Sequence, residues 1–253
     1  MIQLKSAREL DVMEQGGRIL AATLALLRAE VRPGISTAEL DRTAEEFIRS
    51  HEGAVPAFKG LYGFPGSVCI SLNNEIVHGI PSKKRILADG DIVTVDAGVR
   101  YAGFYTDSAT TVPVGDVDAT TRRLLDVTHA SLEAGIAAAR IGNHIGDIGA
   151  AVQAVVEAAG FSIVRDLVGH GIGVGPHEEP QVPNYGKPKR GPKLSAGLTI
   201  AIEPMVNVGG PGTRTMPDKW TVVTADGSRS AHFEHTVAVT ERGPRVLTAG
   251  AGD

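Results

Sequence analysis

The sequence predicts an α+β fold built from two similar halves, at about residues 1–115 and 116–253, on three observations. Apolar residues recur at helical spacing in four segments, and shorter stretches alternate apolar and polar residues at strand spacing. A pattern of glycine, leucine and acidic positions then returns after 107 or 108 residues.

The first helix opens at Ser6, with Glu9 three residues on, a capping-box pattern in which each side chain serves the other residue's backbone N–H. Leu10, Met13, Gly17, Leu20, Leu24, Leu27 and Val31 follow at steps of three and four and so share one face. A second helix opens at Ser36 with Glu39 and carries Leu40, Phe47 and Ile48. A third covers about 120–140. A fourth, about 145–159, turns Ile145, Ile148, Val152 and Val155 inward. The strands expected are 91–96 (DIVTVD), 198–203 (LTIAIE) and 234–240 (EHTVAVT).

The repeat ties these elements together. Leu87, Gly90 and Asp96 stand 107 residues before Leu194, Gly197 and Glu203, and Gly53 stands as far before Gly160. Gly34, Glu39 and Leu40 stand 108 before Gly142, Asp147 and Ile148. Both repeated strands end on an acid, so packing the halves about a pseudo-twofold axis brings those ends into one cleft.

Composition limits the function classes. The 253 residues are 42% hydrophobic and 21% charged, ordinary for one soluble globular domain. A net charge of −4 gives no case for sequence-specific nucleic-acid binding or a membrane surface. The one cysteine, Cys69, permits no internal disulfide and fits a reducing compartment. The segment MIQLKSAREL lacks the apolar stretch of a signal peptide, and no run approaches the ~18 apolar residues of a membrane span. The expectation is a cytoplasmic, monomeric protein. Basic residues gather at Lys83, Lys84 and Arg85 and at Lys187, Lys189, Arg190 and Lys193. A solvated loop accounts for them; a transient ribosome contact is the functional reading.

The chemistry gathers on acids. Asp96 and Asp107 flank GVRYAGFYT, a strand–turn–strand segment. A hairpin centred between Tyr101 and Ala102 sets them directly opposite, where two carboxylates repel. A cation between them removes that objection; two solvated acids on an open face is the competing account. Glu203 and Glu234 lie in apolar strands, where a lone carboxylate is costly. His170 lies in the glycine-rich VGHGIGVGPHEEP, expected as a turn after a strand. Four carboxylates and an imidazole suit Mn, Fe, Co or Zn, and two divalent ions balance four acids where one does not. Such a pair also makes water a nucleophile near neutral pH. His78 and His177 are placed to donate to a substrate amide and its developing oxyanion, against the plainer reading of loop histidines. His51, His129, His144, His232 and His235 are less telling, and His235 should face away from Glu234.

The segments SVCISLNNEIVHGIP, VDAGVRYAGFYTDSATT, GHGIGVGPHEEP, TIAIEPMV and SAHFEHTVAVT resemble those of type I methionine aminopeptidases, nearly end to end. The resemblance implies the pita-bread (creatinase/aminopeptidase) fold, with pseudo-twofold halves around a central antiparallel sheet. It implies one ion on Asp96 and Asp107 and another on Asp107, His170, Glu203 and Glu234, with Asp107 and Glu234 bridging. It makes Glu203 the general base, sets His78 against the scissile amide nitrogen and sets His177 against the carbonyl oxygen. The implied substrates are nascent polypeptide N-termini that begin with methionine and carry a small second residue. The methionine pocket maps onto Phe58, Leu61, Phe64, Cys69, Pro176 and Trp220. It departs from the family's commonest pattern at Phe58, Leu61, Phe64 and Pro176, and Pro176 replaces a ring. Two other readings remain. A prolidase or aminopeptidase P usually carries a further N-terminal domain, and the 95 residues before Asp96 hold helices that pair with those of the second half. A non-catalytic peptide-binding relative loses ligands that this chain keeps. A type II enzyme has a long helical insertion between the last two glutamates; only 30 residues separate Glu203 from Glu234.

Overall fold

A computed structural model describes residues 2–250. The helices are α1 (Ala7–Glu30), α2 (Thr37–Arg49), α3 (Ala119–Ala138) and α4 (Ile145–Ala158). The first eight strands are β1 (Ala54–Pro56), β2 (Val68–Leu72), β3 (Glu75–Val77), β4 (Ile92–Tyr101), β5 (Phe104–Pro113), β6 (Ser162–Ile163), β7 (Gly169–Gly171) and β8 (Glu178–Val182). The others are β9 (Thr199–Ile202), β10 (Met205–Asn207), β11 (Thr213–Thr215), β12 (Val222–Thr224), β13 (Ser230–His232), β14 (Glu234–Thr240) and β15 (Gly243–Val246).

A nine-stranded antiparallel sheet runs β1-β4-β5-β14-β9-β7-β8, with β2 also on β4 and β15 also on β14. Two three-stranded sheets, β13-β10-β6 and β11-β12-β3, flank it. The fold is α+β, as expected. No helix among the described residues is long and apolar enough to cross a membrane.

Each helix pair packs on its own strands. Leu20 and Leu27 of α1, with Leu40 and Ile48 of α2, bury against Val93, Val95 and Val99 of β4. Leu132 of α3, with Ile145 and Ile148 of α4, buries against Ile200, Ile202 and Val237 of β9 and β14. Each such side chain contributes about 1.5–3 kcal/mol on leaving water. The capping boxes form at both predicted starts: the Ser6 N–H donates to Glu9 Oε2 at 2.7 Å, and the Ser36 N–H to Glu39 Oε2 at 2.9 Å.

The repeated sequence positions take repeated geometry. The Leu87 N–H donates to Ile35 O at 2.9 Å, and the Leu194 N–H to Asn143 O at 2.8 Å. The Thr37 N–H donates to Arg85 O at 2.8 Å, and the Ile145 N–H to Pro192 O at 3.0 Å. Gly90 and Gly197 both adopt the left-handed region, with φ +86° and +85°.

Three helix details differ from expectation. In α4 the inward residue is Val156, and Val155 is half-buried. Ile145, Ile148, Val152 and Val156 follow the 3.6-residue period, and a step of three from Val152 turns off that face. Val31 is the C-cap of α1 rather than a member of it. Phe47 is half-buried, edge-on to His51 at 4.9 Å.

Candidate metal centre

One row of residues crosses the large sheet and assembles the acids. Asp96 in β4 stands opposite Cys69 in β2 and opposite Ala109 in β5. Ala109 in turn stands opposite Glu234 in β14. Directly paired residues share a face, so Asp96 and Glu234 point to the same side with only a methyl between them. Asp107 lies two residues along β5 on that face. Glu203 follows the last paired position of β9, Ile202 opposite His235, and so arrives beside Glu234. Side chains lock the strands together: Thr236 Oγ1 accepts from the Asp107 N–H at 2.9 Å and donates to Asp107 O at 2.8 Å, while Ser108 Oγ donates to Glu234 O at 2.6 Å. His235 faces away, with Nδ1 2.9 Å from Thr248 Oγ1.

The expected facing of Asp96 and Asp107 is corrected. Asp107 pairs with Gly98, and Tyr101 with Phe104, so the turn is Ala102–Gly103. Both turn residues have positive φ, +47° and +90°, as a two-residue type I′ hairpin requires, and Gly103 supplies the freedom. The register moves by two residues. That even shift keeps both acids on one face, as diagonal neighbours.

His170 is not in a turn but inside the short strand β7, at a bulge against β8. Its Nδ1 is 2.9 Å from Gly171 O, which can only accept, so Nδ1 carries the proton and Nε2 presents a lone pair. That lone pair faces Glu203 Oε1 at 3.6 Å. On the other side, His232 Nε2 lies 3.6 Å from Glu203 Oε2. Asn184 Nδ2 donates to Glu203 O at 2.9 Å and fixes the backbone there.

This donor set fits divalent cations. Ligand atoms of Asp107, His170 and Glu234 all lie within 4.8 Å of one another. Asp96 Oδ1, Asp107 Oδ1 and Glu234 Oε1 are buried without a hydrogen-bond partner. Among the described residues no lysine or arginine pairs with any of the four acids. Buried unpaired carboxylates are untenable unless protonated or ligated. Without ions, burial raises all four: Asp96 to about 7, and Asp107, Glu203 and Glu234 well above the carboxylate range, the last three also through the charge of their acidic neighbours. Burial lowers His170 to about 4 and His232 to about 3, and lowers His78 and His177, so these imidazoles are neutral near pH 7.

The acids open onto a cleft of about 630 Å³ that gathers every predicted ligand, both predicted histidines and five pocket residues: Phe58, Leu61, Phe64, Cys69 and Trp220. Trp220 packs edge-on to Phe64 at 5.1 Å and to His78 at 6.4 Å. Asp218 holds it by accepting from the Trp220 N–H at 2.9 Å. Pro176 does not line the cleft, so it forms no pocket wall. His78 sits just after β3 with φ +60°, a strained position for a side chain. The next residue must be glycine, because a Cβ at Gly79 would lie 2.1 Å from Ile70 O. His177 lies at the cleft mouth, its imidazole covered by two rings, His170 at 4.5 Å and Tyr62 at 6.0 Å. Burial keeps the Cys69 thiol protonated, so it acts as a small apolar wall.

Sequence reasoning missed His232 and Tyr62. His232 passes for a strand residue because strand alternation from Glu234 is the visible signal. That signal was usable, since two residues before Glu234 is the same face. Of the basic clusters, Arg85 turns inward, donating to Ile80 O at 2.8 Å and pairing with Glu75, so it is no surface charge.

Residues 11–241 match the family model described as Metallopeptidase family M24. A methionine aminopeptidase of Clostridium perfringens is 54% identical over 98% of this chain and 99% of its own length. The methionine aminopeptidase structure from Rickettsia prowazekii superposes with a TM-score of 0.96 at 40% identity, covering 98% of this chain and all of that one. The prolidase structure from Pyrococcus furiosus shares the fold, at TM-score 0.76 and 23% identity, and this chain spans 65% of it. The architecture is therefore the pita-bread fold, and the chain belongs to metallopeptidase family M24, in its methionine aminopeptidase group.

Proposed function

We propose that this chain removes the initiator methionine from nascent polypeptide N-termini, favouring a small second residue, with two divalent ions among Co, Mn, Fe and Zn. One observation carries the reading: Cys69 and Asp96 are paired neighbours, so the apolar pocket and the acid cluster adjoin on one sheet row. Asp96 and Asp107 would hold one ion, and Asp107, His170, Glu203 and Glu234 the other, with Asp107 and Glu234 shared. Such ions supply Lewis acidity and make water nucleophilic near neutral pH. Phe58, Leu61, Phe64, Cys69 and Trp220 bind the thioether side chain and exclude water from it. His177 donates to the carbonyl oxygen as negative charge grows there. Glu203, through Oε2, the oxygen turned from His170, takes the proton of the attacking water. It returns that proton to the amide nitrogen as the C–N bond breaks, with His78 placing that nitrogen.

The chain works as one catalytic domain over residues 1–253, its halves meeting near residue 115. A cytoplasmic monomer suits the single thiol, and exposed Lys187, Lys189, Arg190 and Lys193 suit a transient ribosome contact. Charge reversal at these four should abolish ribosome co-sedimentation; unchanged co-sedimentation would end that part of the reading. The main test is cleavage of Met-Ala-Ser, with Leu- and Pro-containing peptides as controls, by chelated enzyme reloaded with single metals. A protein that binds divalent metal yet never releases methionine refutes the function.

A further inference from the structure

Glu203 stands between two imidazoles that meet it differently. The Nδ1 of His170 is committed to Gly171 O, so its Nε2 lone pair faces Glu203 Oε1 at 3.6 Å. Two acceptors at that distance are reconciled by a cation between them or by a proton on Oε1. His232 is another case. It is 1% exposed, neither ring nitrogen has a partner in the fold, and Nε2 lies 3.6 Å from Glu203 Oε2.

The backbone leaves this ring little freedom. The His232 N–H donates to Thr111 Oγ1 at 2.9 Å, and Thr111 Oγ1 donates to His232 O at 2.7 Å. The hydroxyl of Thr111 has then spent its proton, so the 2.7 Å contact with Thr94 Oγ1 must be donated by Thr94. Pairing with Met205 across β13 and β10 completes the clamp. A buried ring with both nitrogens orphaned is destabilising, and an apolar residue of similar volume would relieve that.

We propose that His232 is a positioning residue for Glu203: its Nε2–H is directed at Oε2, turning Oε1 toward His170 and leaving the second lone pair of Oε2 to receive the proton. The proposal rests on the role given to Glu203 above. At 3.6 Å the contact is just outside hydrogen-bond range, and a shift of about half an ångström closes it. With an ion bound, the two imidazoles would fix one oxygen each, His170 as a fellow ligand and His232 through an N–H. Groups that orient a ligand in this way typically govern affinity or activity by about 10–100-fold.

The test compares the full chain with His232→Leu, which removes the donor, and His232→Gln, which keeps one. In protein with ¹⁵N-labelled histidine, the imidazole signals missing from both variants belong to His232. In zinc-loaded protein they should report a proton on Nε2 and a bare Nδ1. A proton on Nδ1, or a zinc-bound nitrogen, overturns the proposal. By calorimetry, zinc stoichiometry should be unchanged in both variants, with affinity about 10-fold weaker in His232→Leu and near wild type in His232→Gln. Loss of one ion in both makes His232 a ligand and overturns it. With Met-Ala-Ser, kcat should fall about 10–100-fold in His232→Leu at unchanged KM and recover in His232→Gln. Equal behaviour of the two variants also overturns it. Thermal melting of His232→Leu should not drop, which separates this effect from misfolding. A wild-type protein inert toward the peptide would defeat the functional reading alone, and the tautomer and zinc measurements would still decide the role of His232.

Discussion

Removing divalent ions should destabilise the protein in a way that depends on pH, with a sign set by the buried acids. In the ion-free fold burial pushes Asp96 up to about 7 from its ordinary value of 3.8. Between those values the folded chain keeps a proton that the unfolded chain has lost. The contribution of this residue therefore falls as pH rises from about 4 to about 7 and is level above. Three pH units amount to about 4 kcal/mol from this residue. Asp107, Glu203 and Glu234 shift the same way, and the four titrate as a set. His170 and His232 act oppositely, since their folded values of about 4 and about 3 cost stability as pH falls below 6.5. Divalent ions need bare carboxylates and a neutral His170, so at fixed free metal they bind poorly at pH 5.5 and well at pH 8. A chain of this size moves about 2–4 °C per kcal/mol. The melting temperatures of manganese-loaded and chelated protein should thus nearly coincide at pH 5.5 and separate by on the order of 10 °C at pH 8. Calorimetric scans at four pH values measure this. A gap that is flat, or that narrows as pH rises, refutes the argument that ions are what make the acids tenable.

If Asp107 is shared by two ions as proposed, Asp107→Asn should weaken both; metal analysis after dialysis checks this, and full occupancy would argue against the bridge. His78→Ala should lower turnover by about 100-fold with metal content intact. Metal loss in that variant would make His78 a ligand. Lys5 Nζ lies 2.5 Å from Glu178 Oε2, and the side chains are 2% and 11% exposed. Lys5→Met should therefore cost about 3–5 kcal/mol by stranding the carboxylate beside His177. Adding Glu178→Gln should restore much of the melting temperature; no recovery would mean that Lys5 matters for packing instead.

The helices were legible because capping and periodicity are local: Ser6 with Glu9 and Ser36 with Glu39 mark both starts to the residue. The acid cluster was legible because a carboxylate in an apolar strand is anomalous wherever it falls. Register was not. Placing the hairpin turn at Ala102–Gly103 needs the handedness of strand twist, which the alternation of apolar residues does not carry. For His232 the alternation from Glu234 gave the face but not the neighbour, since its contact with Glu203 is made between separate strands. Pro176 shows the converse error, a pocket wall inferred from a motif position that does not line the cleft.

An ion shared by Asp107 and Glu234 would join points 127 residues apart along the chain. In a protein with a single thiol it would do the work of a disulfide, closing a loop whose restriction in the unfolded chain is worth roughly 5 kcal/mol by the chain-entropy argument. Unlike a disulfide, this tie is reversible and its strength follows the free-metal concentration. Metal supply would then set how long the protein survives proteolysis as well as how fast it turns over, and starvation for the ion would remove inactive copies instead of storing them.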